Sequence, residues 1–229
     1  MLSALAIVSS APVMVAELAG AAAAETADLR AAALAAAGRL PPRWVGVGVA
    51  SADGVFGPDA SGTFGGYGVE LPVALSDAAL ARPAAELPLC VLVAAWLRGL
   101  VQPGASAEVR TYSAGRSADE ALAAGRRLRE EIDSTADPTG VLVVADGVTT
   151  LTPAAPGGYD PDSSAVQTAL DDALAAGHPA ALAGLPDGVV GRVAYQVLAG
   201  LAEPGPGSAD ELYRGAPYGV GYFVGVWTP

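Results

Sequence analysis

No lysine occurs in the 229 residues, so all 12 basic side chains are arginine, and His178 is the only histidine. The first absence excludes a Schiff-base lysine and the lysine of a phosphate-binding P-loop. The second excludes any catalytic or metal site that needs two imidazoles from one chain. Cys90 is the single cysteine, which excludes an internal disulfide; within the apolar run Leu89–Leu97 it reads as inert packing, and cysteine usage fits the cytoplasm. Charge is scarce as well, at 16% of residues, and its balance is acidic, with a net charge of -12. Nucleic-acid affinity comes mostly from basic side chains that release counterions, so neither nucleic acid nor an anionic membrane surface is expected as a partner. No apolar run reaches the ~18 uninterrupted residues of a spanning helix. Met1–Val15 is apolar, but no basic residue precedes it and Ser9, Ser10 and Pro12 interrupt it, so Leu2–Val8 reads as a first strand rather than a leader.

Hydrophobic residues make up 52% of the chain, and strand-like and helix-like stretches alternate without a long Ser/Gly linker. The expectation is one domain over residues 1–229, a three-layer α/β fold with a mostly parallel or mixed central sheet flanked by helices. Strands are expected at Leu2–Val8, Trp44–Ala50, Val69–Ala74, Glu108–Ser113, Val141–Val144 and Tyr218–Trp227. Val141–Val144 has no polar alternation, the mark of a strand covered on both faces. Helices are expected within Ala21–Ala37, from Pro88 to Leu100, from the capping box Ser117–Glu120, from Ser164 to Gly177, and over Asp187–Leu201. The Pro88–Leu100 helix is apolar nearly all round, which calls for burial on two sides or a homodimer interface.

Chemistry is expected where strands end, because ligands of open α/β sheets bind in the crevice beyond the carboxyl ends. Asp146, Thr149 and Thr150 follow the Val141–Val144 strand, Ser9-Ser10-Ala11-Pro12 follows the first, and Asp53 follows the second. Turn chemistry alone would also explain Asp53 and Asp146, since each precedes a glycine. His178 lies between Gly177 and Pro179, a surface turn context that favours a structural role.

Ala145-Asp146-Gly147-Val148-Thr149-Thr150 followed by Pro156-Gly157-Gly158-Tyr159-Asp160 resembles a signature of the class III extradiol ring-cleavage dioxygenase B-subunit-like proteins, a group that includes the Memo-like branch. Members commonly carry Gly-Asp-Leu-Ser-His-Arg at a strand end, then Pro-Gly-Tyr-Asp. The resemblance extends to the segments LSALAIVSSAPVMVAELAG and APYGVGYFVGVW. It implies Fe(II) held by two histidines and a carboxylate, with a further histidine as acid/base. In this chain the histidine positions correspond to Ser10, Asp53 and Thr149, so the resemblance is to a bacterial branch without the ligand set. A catalytically degenerate protein is therefore expected, with no Fe(II) cofactor and with Ser10, Asp53, Asp146 and Thr149 around a crevice for a small molecule or partner. Two enzymatic alternatives stay open: an unorthodox metal-dependent oxidoreductase, in which Asp53 and Asp146 hold a hard divalent ion, and a hydrolase using those carboxylates as a pair. For either, Asp53, Asp146 and Thr149 are the candidate catalytic residues.

Overall fold

A computed structural model describes all residues from Met1 to Pro229. Leu2–Val8 forms β1, whose side chains alternate between two covered faces: Ala4, Ala6 and Val8 on one, Leu5 and Ile7 on the other. A short α1 (Ala16–Ala19) precedes α2 (Ala27–Ala37), and β2 (Arg43–Ala50) follows. Then come three short strands, β3 (Gly54–Phe56), β4 (Ser61–Thr63) and β5 (Pro72–Ala74), before α3 (Leu89–Val101), β6 (Ser106–Ser113), α4 (Ala118–Asp133) and β7 (Thr139–Val144). The chain closes with α5 (Ser163–Ala175), α6 (Pro179–Leu182), α7 (Arg192–Leu201), β8 (Ser208–Gly215) and β9 (Tyr222–Thr228).

Seven strands make one mixed sheet in the order β3-β6-β2-β7-β1-β9-β8. The inner four, β6, β2, β7 and β1, are parallel, and antiparallel strands flank them. Helices α2 and α3 cover one face over a core of 33 buried residues; α4, α5, α6 and α7 cover the other over 29. This is the three-layer α/β arrangement that the alternation of elements implies, and β7 is buried at every residue, as its unbroken apolar run requires.

The two faces place the crevice. Chain leaving β1 runs to α2 on the first face, whereas chain leaving the adjacent parallel β7 runs to α5 on the second. Their carboxyl ends therefore diverge at a topological switch point, with Ser9 and Ser10 on one side and Asp146 on the other.

Several boundaries differ from expectation. The alanine-rich helix, Ala27–Ala37, lies within the expected Ala21–Ala37, behind a 3-10 turn over Gly20–Ala24. Val69–Ala74 adds no strand to the sheet: only Pro72–Ala74 is extended, and it pairs with β4 in a separate hairpin. Pro72 has no N–H to give a ladder, which suits an edge and not a sheet interior. The last helix starts at Arg192, and the edge strand β8 was not expected because its sequence, SADELYRG, has no apolar alternation. Of the two readings of α3, burial on two sides is the one seen: Cys90–Arg98 are all buried against the sheet, α2 and the β4–β5 hairpin.

Candidate functional site

At the switch point, Asp146 holds the ends of β1 and β7 together. Its Oδ1 accepts from the Ser9 hydroxyl at 2.6 Å and the Ser10 backbone N–H at 2.9 Å, and its Oδ2 accepts from the Ser10 hydroxyl at 2.6 Å. Ser9 Oγ in turn accepts from Ala11 N–H, which fixes the turn that leads to Pro12. Three of about four acceptor positions of the carboxylate are thus used within the chain. Asp146 is only 9% exposed, and burial pushes its pKa up, against the pull of these three hydrogen bonds.

Backbone from two other segments closes over it. Gly147 N–H donates to Gly221 O, Gly221 N–H returns a bond to Val148 O, and Gly191 N–H donates to Asp146 O. Gln167, on α5, passes between the two glycines: its Oε1 accepts from Val148 N–H and its Nε2 donates to Asp171 Oδ1 at 2.8 Å. A Cβ on Gly147 or Gly221 would collide with that amide, so a side chain at either position would push Gln167 out of these bonds. Buried Tyr195 donates its hydroxyl to Ala145 O, and Tyr222 is buried nearby; burial first, and the Asp146 charge next, push the Tyr222 phenol far up. Burial also raises Asp171, to about 6.

The four residues expected around one crevice divide. Ser10 and Asp146 meet directly. Thr149 is half-buried in the turn that follows, where its carbonyl accepts from Gly157 N–H. Asp53 stands apart and exposed: Oδ1 accepts from Ser113 N–H at 2.8 Å, and Oδ2 pairs with Arg116. The Ser113 N–H, with help from Arg116, holds the Asp53 carboxyl below its usual range. His178 is exposed at its turn. Ser9, Gln167 and Tyr195 had no signal of their own, because what matters in each is a partner distant in sequence, and Asp171 and Tyr222 had none because their burial is set by the packing around them.

Asp53 lines a cleft of about 620 Å³ at the carboxyl ends of β2 and β6, together with Thr111, Phe56, Tyr67, Glu86 and Leu89. Its volume lies within the roughly 300–1,000 Å³ of small-molecule sites. On its other side Asp53 lines a second cleft, of about 380 Å³, against α4. Asp146 lines neither. A cavity of about 280 Å³ sits at the opposite, amino ends of β2 and β6, beside Arg43 and Ser106.

The residues do not fit the Fe(II) centre that the dioxygenase resemblance implies. Ser10 and Thr149 offer neutral hydroxyls, Asp53 is engaged by Arg116, and no three His, Cys, Asp or Glu side chains converge. The paired-carboxylate alternatives fare no better, because Asp53 and Asp146 share no partner and no cleft.

No protein-family description matches this chain, and no curated protein matches it. Among solved structures it is similar to the uncharacterized protein JW3007 from Escherichia coli K12, with a TM-score of 0.62 and 11% sequence identity over 98% of this chain and 99% of that one. At that identity the likeness establishes a shared α/β fold along the whole length of both chains.

Proposed function

We propose that this chain is a class III extradiol dioxygenase-like scaffold that has given up Fe(II) ring cleavage and binds a small molecule in the cleft of about 620 Å³ beside Asp53. The observation that carries the reading is the division of the strand-end residues. Ser10 and Asp146 are locked to each other under a backbone cover, while the open volume lies over β2 and β6 with Asp53, Phe56 and Tyr67 on its walls. The family resemblance draws support from Ser10 and Asp146 themselves. They are 136 residues apart in sequence, and the resemblance puts both at the old active site; here they are hydrogen-bonded.

The cleft pairs aromatic and aliphatic walls with a few polar groups, the composition of small-molecule sites. Cys90, beneath it, is no nucleophile: burial pushes its thiol up to about 11, and an unreactive thiol suits a reducing, cytoplasmic setting. The test is protein loaded anaerobically with Fe(II), then given catechol and oxygen. Ring-opened product should not exceed that of free iron; product well above that level, and abolished by Asp53→Ala, would overturn the proposal.

A further inference from the structure

Against a net charge of -12, three of the 12 arginines, Arg110, Arg116 and Arg127, converge with Tyr112 on the cleft of about 380 Å³ between β6 and α4. Their charges are unequally spent. Arg110 is neutralised twice, by Glu108 at 3.0 Å and Glu131 at 2.7 Å, and Arg116 pairs with Asp53. Arg127 has no ion-pair or hydrogen-bond partner and is exposed. The Arg116 guanidinium lies 5.4 Å from the centre of the Tyr112 ring, and its Nε is buried without an acceptor.

The arrangement is held from behind. Arg192, on α7, donates to Ala114 O at 3.1 Å and Arg116 O at 3.4 Å, which pins the turn that carries Arg116. Tyr112 registers the same cluster: burial raises its phenol, the charges of Arg110, Arg116 and Arg127 pull it back, and that of Glu131 opposes them.

We infer that this cleft binds a small molecule through an oxyanion group, a carboxylate or a phosphate, held by Arg127 and Arg116 beside the Tyr112 ring. A guanidinium fork matches the two oxygens of either group, and the partly desolvated floor strengthens the contact. The site is distinct from the proposed ligand cleft, with the Asp53–Arg116 pair as the wall between them. Binding of an anion here would compete with Asp53 for Arg116, so the two clefts are coupled through one salt bridge.

Titration calorimetry at low salt, with inorganic phosphate and separately with benzoate, tests this on wild type, Arg127→Ala and the control Arg82→Ala. Arg127 supports no other side chain, so its loss leaves the fold intact. At least one probe should bind wild type, with affinity reduced about tenfold in Arg127→Ala and unchanged in Arg82→Ala. Binding of phosphate alone would assign a phosphate group and binding of benzoate alone a carboxylate; binding of both fits a general oxyanion site. Absence of binding by either probe at millimolar concentration, or binding that Arg127→Ala leaves unchanged, overturns the inference.

Discussion

Asp146 shows how much of a site residue's meaning lies in partners that sequence does not reveal. An acid before glycine at a strand end fits a turn or a crevice equally well, and only the Ser9 and Ser10 bonds identify it as the clasp between β1 and β7. Asparagine can accept from Ser9 and Ser10 N–H through its oxygen and donate to Ser10 Oγ, so Asp146→Asn should cost no more than about 1 kcal/mol, whereas Asp146→Ala strands buried donors and should cost about 2–4 kcal/mol. Urea unfolding of the two variants measures the difference. Asp171 was equally silent in the sequence, because a helical acid ordinarily faces water; burial behind Gln167 raises it from 3.8 to about 6. The folded state therefore holds that proton more tightly than the unfolded chain does. Stability from this group is fully present below about pH 4 and falls as pH rises to about 6. Melting temperature followed from pH 4 to pH 7 should decline less steeply in Asp171→Asn than in wild type, since Asn keeps the acceptor for Gln167 and has no proton to lose.

Elements were more legible than residues wherever burial was complete. β1, β2, β7 and α3 are apolar runs that have no other place to go than a covered sheet or the layer on it, and the Ser117–Glu120 capping box marks the start of α4 with both reciprocal bonds formed. The short pieces were missed or misplaced for a physical reason: β3 and β4 have three residues each and owe their extension to neighbours, β5 keeps only the last three residues of the strand expected over Val69–Ala74, and β8 is an edge strand half open to water. Close approach between α4 and α7 was hidden too. Gly125 and Gly200 look like weak points in their helices, where alanine would ordinarily be better by about 1 kcal/mol. Here a Cβ on Gly125 would strike Val197 O, and one on Gly200 would strike Leu122 O, because the helices touch backbone to backbone. Overpacking at such a crossing should outweigh propensity, so Gly200→Ala should lose about 1–3 kcal/mol by urea denaturation, where a propensity effect alone would raise stability.

Across the whole molecule, the layers and the switch point follow from the alternation of elements, while the position of the open volume does not. That volume depends on the Gly219–Gly221 and Val189–Gly191 segments, which fold back over Asp146 and close the crevice that strand order alone would leave open. What remains accessible lies over β2 and β6, where the insertion from Asp53 to Leu89 supplies Phe56, Tyr67 and Glu86 as walls. No helix is long and apolar enough to cross a membrane. The most direct measurement is a thermal-shift screen of metabolites and divalent metals on wild type, Asp146→Asn and Tyr67→Ala; Tyr67 is 45% exposed but its ring packs edge-on against buried Phe64, so each variant's shift is read against its own melting temperature without ligand. Ligand in excess over its dissociation constant by about a hundredfold stabilises the folded state by about 2.7 kcal/mol, a shift of roughly 5–11 °C for a chain of this size. At least one small molecule should raise the melting temperature of wild type and Asp146→Asn alike and lose that effect in Tyr67→Ala. A screen without a hit, or a hit abolished by Asp146→Asn and indifferent to Tyr67→Ala, would contradict the placement of the ligand in the Asp53 cleft.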